Sequence, residues 1–221
     1  MAKLEFFHGV MGSGKGVYIA QMVHNTLTRE ITPITMKHGI DTKGGNAIVS
    51  RIGTHVPVDI MAEPAKPELH LPETDVRAKV LSYIGDRGIQ LAHIITDEAQ
   101  FFSPAQIDQL YALAHHDNVP VTCFGLRADV YRNLFAGSQR LFELADCTTE
   151  LQSAVRCTGC GDTPNQNGRY IDGLFDINTT AEVVSIDGAK ENVVYDVFCN
   201  DCYDHAANQA KQGIRVEPRG I

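Results

Sequence analysis

Two stretches of this sequence carry residues suited to handling phosphate. "GVMGSGKG", comprising Gly9, Val10, Met11, Gly12, Ser13, Gly14, Lys15 and Gly16, is glycine-rich and holds one lysine. In a glycine loop between a strand and a helix, successive backbone N–H groups surround phosphate oxygens while the lysine reaches the β and γ phosphates of ATP. The pattern G-x-x-x-x-G-K-[ST] is met at Gly9, Gly14 and Lys15 but not at Gly16, where a hydroxyl would normally ligate Mg²⁺. A glycine turn with a chance lysine is the competing reading, and the apolar run before the loop and the helical spacing after it weigh against that. Without the hydroxyl, the metal must lean on ATP oxygens, water and a carboxylate elsewhere. "IITDEAQFF" offers one: a hydrophobic strand delivers Asp97 and Glu98 at its C-terminal end, where open α/β sheets bind ligands. Asp97 there can hold Mg²⁺, and Glu98 can take the proton of an attacking hydroxyl. Alone, a strand ending in Asp-Glu reads as a solvated acidic turn; paired with the glycine loop, it points to phosphoryl transfer.

Two CxxC pairs, Cys157/Cys160 and Cys199/Cys202, are the most specific pattern of the C-terminal half. Four thiolates in two pairs suit a tetrahedral Zn²⁺, and a site closed by four protein ligands is structural. The 38 intervening residues exceed a compact zinc ribbon and must form a hairpin or loop. Neither pair has the strand-then-helix setting of a thiol redox motif. Cys123, in an apolar run, and Cys147, near a strand start, read as core residues.

The elements that must position these groups follow from periodicity. "KLEFFHG", "LAHIITDE" and "VPVTCFGL" are short apolar runs of the buried-strand kind. Lys15 to Arg29 and Thr74 to Arg87 have helical spacing, and "SPAQIDQLYALAHH" opens on Ser103 as N-cap with Pro104 at the first helical position. Strands alternating with helices predict an α/β fold with a parallel sheet flanked by helices over residues 1–150. From about residue 151 the text changes to glycine, asparagine and short β-type runs, "AEVVSI" and "VVYDVFC", predicting a small β-rich zinc-binding domain over 151–205 and a frayed tail over 206–221. A net charge of −8 argues against a nucleic-acid partner. No stretch approaches the roughly 20 apolar residues of a membrane span, and the N-terminal apolar run is too short for a signal peptide, so a cytoplasmic protein is expected.

The set "GVMGSGKG", "DEAQFF", "GLRADVYRNLFAGSQRL", the two CxxC pairs and "YDVFC" resembles the thymidine kinase family of the cytosolic, zinc-bearing type, from about Lys3 to Tyr203. The resemblance implies transfer of the γ-phosphoryl group of ATP to the 5′-hydroxyl of thymidine, yielding thymidine monophosphate for DNA synthesis. It implies that Gly9 to Gly16, with Asp97, Glu98, Ala99 and Gln100, serve the ATP site, that Glu98 accepts the proton, and that Arg51 of "SRIG" points toward the phosphates. The base pocket would comprise Met11, Phe101, Leu126, Val130, Phe135 and Tyr195. Above it would lie a zinc-anchored flap, the lasso, whose backbone at Val183, Val184, Ser185, Ile186 and Asp187 bonds the base edge. Fixed amides of that kind reject cytosine by leaving polar groups unpaired. A homotetramer and feedback inhibition by thymidine triphosphate are also implied.

Three positions depart from the family pattern: Gly16 stands for Ser or Thr, Val130 for an aromatic residue, and "IDGAKENVVY" is longer than the usual flap and carries Asp187 for glycine. Gly16 keeps a second reading open, a catalytically impaired nucleotide- or nucleoside-binding protein on the same scaffold. A zinc-bearing ATPase acting on nucleic acid would need a basic, aromatic-interleaved stripe that the sequence lacks.

Overall fold

Along β1 (Leu4–His8), β6 (Ala92–Asp97) and β7 (Val121–Gly125), neighbouring residues face opposite ways and reach different cores. Leu4, Phe6, Ile94 and Cys123 join one apolar cluster with Val80, Ile107, Leu110 and Leu141. Ile95 and Phe124 join another with Ile19, Ile48 and Val56. A strand covered on both faces has no polar side, which is why these runs read as continuously apolar. In the computed structural model, which describes residues 1–151, 155–178, 193–215 and 218–220, six strands form one parallel sheet in the order β5-β2-β6-β7-β1-β8. Its remaining members are β2 (Thr32–His38), β5 (Ile60–Ala62) and β8 (Cys147–Glu150). Helix α1 (Lys15–Leu27) and the hairpin β3 (Ala47–Val49)–β4 (His55–Pro57) cover one face. Helices α2 (Val76–Arg87), α3 (Pro104–His115) and α4 (Ala136–Leu144) cover the other. The expected α/β parallel sheet flanked by helices is the observed one. No described helix is long and apolar enough to cross a membrane.

The helix ends follow local chemistry. Ser103 caps α3 through a reciprocal capping box with Gln106, and Pro104 occupies the first turn. Asp75 caps α2 by accepting the Ala78 N–H at 2.9 Å. Strand β2 escaped the periodic reading because it holds Pro33 and, next to its last residue, Lys37, which is fully buried. That ammonium is paired with Asp41 at 2.9 Å and donates to the Lys43 carbonyl at 2.7 Å. Cys123 is buried in β7, with its thiol pushed up to about 12 by burial. Cys147 corrects the expectation of a core residue: it opens the edge strand β8 and is exposed.

Beyond the sheet, β9 (Gln166–Ile171), β10 (Leu174–Phe175) and β11 (Val193–Phe198) form an antiparallel sheet in the order β10-β9-β11. Helix α5 (Asn200–Lys211) packs Tyr203, Ala206 and Ala210 against Tyr170, Phe175 and Phe198. Gly168 lets the rings meet, since a Cβ there would lie 2.6 Å from both the Phe175 and Phe198 rings. Strand β11 matches "VVYDVFC", while "AEVVSI" lies outside the described residues. Helix α5 runs unbroken through residue 206, where a tail was expected to begin, and Ala206 and Ala210 belong to the small unit's core.

Candidate active site

The loop from Gly9 to Gly14 joins β1 to α1 at the C-terminal edge of the sheet. Gly12 and Gly14 have φ of 73° and 87°, left-handed values that favour glycine, and Gly14 is the residue from which α1 departs. The loop amides therefore gather at a helix N-terminus, the anion-binding geometry. Lys15 is 8 % exposed, and its ammonium donates to the Val10 carbonyl at 3.1 Å and to Ser13 Oγ at 3.4 Å. Burial lowers its pKa, opposed by the charges of Glu98 and Asp97. Lys15 thus lies within the field of both carboxylates that end β6.

Asp97 is buried, and burial followed by the Glu98 charge pushes its pKa up to about 7, against the Glu98 N–H that it accepts at 2.9 Å. Glu98 itself has φ 51°, an uncommon conformation for glutamate. Gln100 holds it there: the amide Nε2 donates to Glu98 Oε2, while Oε1 accepts the Leu126 N–H at 2.9 Å. Gln100 is 2 % exposed and Ala99 fully buried. A cluster of one buried lysine and two carboxylates, one with a raised pKa, suits a divalent cation and a proton acceptor side by side.

Arg51 is exposed, and its Nη1 lies 3.2 Å from where a Gly12 Cβ would be, so it reaches the phosphate loop. Its neighbour Ser50 closes on Gly16: a Cβ at residue 16 would meet Ser50 Cβ at 3.2 Å and Cα at 3.3 Å. A side chain at residue 16 would therefore require Ser50 to give by a few tenths of an ångström. The sequence reading missed Lys37, Asp41 and Lys43. Lys37 is the register partner of Asp97, the Asp41 charge contributes to raising Asp97, and the Lys43 charge contributes to lowering Lys15. The signal for them, a strand end of the form K-x-x-x-D, was hidden because β2 was not recognised as a strand.

Of the residues assigned to a base pocket, Phe101 and Phe135 meet edge to face at 5.9 Å. Leu126 is tied to the same place through Gln100 and accepts the Ser138 hydroxyl at 2.6 Å. Val130 is buried in the loop after β7, and its carbonyl accepts the Tyr203 hydroxyl at 2.6 Å. Tyr195 on β11 faces Arg169, whose guanidinium it hydrogen-bonds beside the buried Asp176 and Tyr131. Met11 is half-buried, its N–H held by Asn167 at 2.8 Å. Val183, Val184, Ser185, Ile186 and Asp187 lie outside the described residues.

The four cysteines of the CxxC pairs come together, with all four sulfurs within 4.8 Å of one another and Cys160 and Cys199 Sγ atoms 3.7 Å apart. A tetrahedral zinc with bonds of about 2.3 Å requires sulfurs about 3.8 Å apart. Burial acts to raise the Cys157 thiol, but the backbone N–H groups of Cys199, Cys160 and Gly159 bring it down to about 7, toward the thiolate a metal needs. Gly159 is required by the cluster, since its Cβ would stand 2.6 Å from Cys202 Sγ.

With that geometry in place, comparison with known proteins adds an independent line. The family model described as thymidine kinase matches residues 2–203. Thymidine kinase of Streptomyces coelicolor is 32% identical over 200 residues, covering 90% of this chain and 87% of that protein. The Cutibacterium acnes thymidine kinase is 34% identical over 200 residues, with the same coverages of 90% and 87%. That of Albidiferax ferrireducens is 29% identical over 215 residues, 96% of this chain and 98% of its own.

Proposed function

The chain belongs to the thymidine kinase family, and from that premise we propose that it phosphorylates thymidine at the 5′-hydroxyl with ATP as donor. Phosphoryl transfer chiefly asks a protein for positioning and charge neutralisation. The amides of Gly12 to Gly16 and the Lys15 ammonium hold the β and γ phosphates, and Arg51 adds positive charge from across the loop. Asp97 would hold Mg²⁺ through its carboxylate, giving up the proton that burial favours, and the cation would neutralise phosphate charge. Glu98 accepts the proton of the 5′-hydroxyl as that oxygen attacks phosphorus. Met11, Phe101, Leu126, Val130, Phe135 and Tyr195 wall the thymine, with the 183–187 flap backbone reading the base edge. Zinc on Cys157, Cys160, Cys199 and Cys202 is structural. The reading extends to a cytoplasmic homotetramer inhibited by thymidine triphosphate, both resting on the family alone. A catalytically silent nucleotide binder is disfavoured by the retained Lys15, Asp97 and Glu98 and by the enzymes to which the chain is similar.

The observation that carries the mechanism is Glu98 held in a left-handed conformation by Gln100, one residue from Asp97 and within the field of Lys15. Replacing Glu98 with Gln keeps the shape and removes the proton acceptor. Turnover should fall by about 10² to 10⁴ while the thymidine dissociation constant changes little. Retention of a third of wild-type turnover would dismiss Glu98 as the base.

A further inference from the structure

The cysteine-bearing unit does more than stand beside the phosphate loop; it is bonded to it. Asn167 on β9 is 5 % exposed, and its two amide atoms are both committed. Oδ1 accepts the Met11 N–H at 2.8 Å, and Nδ2 donates to the Ala128 carbonyl at 3.3 Å. One side chain therefore joins the phosphate loop, the segment after β7 and the small antiparallel sheet. A second contact lies alongside: a Cβ on Gly12 would stand 2.8 Å from Val155 Cγ2. Asparagine suits the post because it offers a donor and an acceptor on a short stem without burying a charge.

Asn167 is also close in sequence and register to the metal cluster. It pairs across the sheet with Val197, two residues before Cys199, and β9 begins six residues after Cys160. Closing both CxxC pairs on one ion pins β9 and β11 at the end where Asn167 sits. Releasing the ion frees that end, where Arg127 holds the Asn165 carbonyl at 3.1 Å and Asn167 holds the phosphate loop through the Met11 bond.

We propose that Asn167 is a positioning residue that sets the phosphate-loop backbone at Met11 and thereby makes nucleotide affinity depend on the metal held by the four cysteines. This deepens the kinase reading, which supplies only the purpose of the loop. Were the cysteine unit merely an anchor for the flap, losing its metal would weaken thymidine binding and leave ADP alone.

The test is a four-way comparison of Mg·ADP affinity by calorimetry: wild type and Asn167→Ala, each zinc-loaded and chelator-treated. Zinc-loaded Asn167→Ala should bind ADP roughly three- to tenfold more weakly, the worth of one well-placed hydrogen bond. Chelation should weaken the wild type by a similar factor and the variant by less than twofold, because the linkage is already cut. Equal losses on chelation in both proteins, or ADP affinity in the zinc-loaded variant within 1.5-fold of wild type, overturns the proposal. Should the variant fail to fold or to retain zinc, amide exchange of the wild type decides. The Met11 N–H should exchange at least tenfold faster after chelation while the Gly9 N–H, bonded to the Gly125 carbonyl, keeps its rate. An unchanged Met11 rate, or equal acceleration of both, contradicts it. Neither measurement involves thymidine, so failure of the kinase reading, seen as no thymidine monophosphate from the wild type, is separately visible.

Discussion

Burial and the adjacent Glu98 charge raise Asp97 from 3.8 to about 7, so between those values the folded protein keeps a proton that the unfolded chain has lost. Stability then falls as pH rises through that window, because the native state is the one that binds more protons. Asp97→Asn removes the penalty. In the absence of metal and nucleotide the variant should melt at least about 3 °C above wild type at pH 8, with the gap closing toward pH 4. It should also lose Mg²⁺-dependent turnover. Paired melting curves at the two pH values check this, and a variant less stable than wild type at pH 8 would show that Asp97 is not stored as a costly charge. Gly16 is the other informative residue. A Cβ there would meet Ser50 Cβ at 3.2 Å, so Gly16→Ser alone must shift Ser50 by a few tenths of an ångström and should change the Mg²⁺ concentration for half-maximal rate less than threefold. Combined with Ser50→Gly, which removes the Cβ contact and leaves the Cα one at 3.3 Å, it should lower that concentration by up to roughly tenfold, if the new ligand is worth about 1 kcal/mol net of displaced water. Superimposable rate curves against Mg²⁺ for all three proteins would take residue 16 out of the metal site.

At the scale of elements, the readable parts were those whose local chemistry stands alone. Strands β1, β6 and β7 are buried on both faces, and the start of α3 has a capping box, so period and caps declared them. The glycine loop before α1 and the DE pair at the end of β6 stand where spacing and residue type put them. Strand β2 was not legible, because its buried Lys37 is tolerated only through Asp41 and the Lys43 carbonyl, partners that the fold supplies. Nor did sequence show that Gln100 backs Glu98 or that Ser50 crowds Gly16, since both depend on segments remote in the chain. The cysteine pairs were legible as a cluster, but α5 was not, and Cys199–Cys202 does follow a strand and open a helix, the setting that neither pair was expected to have. Element-scale reasoning also sets the expectation for metal: one zinc per chain by elemental analysis of freshly purified protein. Cys157→Ser should lose most of it and expose the Tyr170–Phe175–Phe198 core while β1, β6 and β7 keep their amide protection. Stoichiometric zinc in that variant would rule out the four-cysteine site.

Across the whole molecule, the sheet's C-terminal edge brings a phosphate loop, a carboxylate pair and an aromatic wall into one region, and the small unit is fastened to that edge. The fastening runs through the loop after β7: Arg127 donates to the Asn165 carbonyl at 3.1 Å, Tyr203 to the Val130 carbonyl, and Arg132 lies 3.8 Å over the Tyr203 ring while pairing with Asp204 at 2.8 Å. In the proposed reaction, donor site, base and acceptor wall come from different parts of the chain and act together. The most direct measurement is therefore made on the intact protein: incubation with Mg·ATP and each of thymidine, deoxycytidine, deoxyadenosine and deoxyguanosine, with separation of the products. The account predicts thymidine 5′-monophosphate formed with one ADP per turnover, and at most traces from the other three. ATP consumption without any nucleoside monophosphate, or deoxycytidine phosphorylated as fast as thymidine, would contradict it.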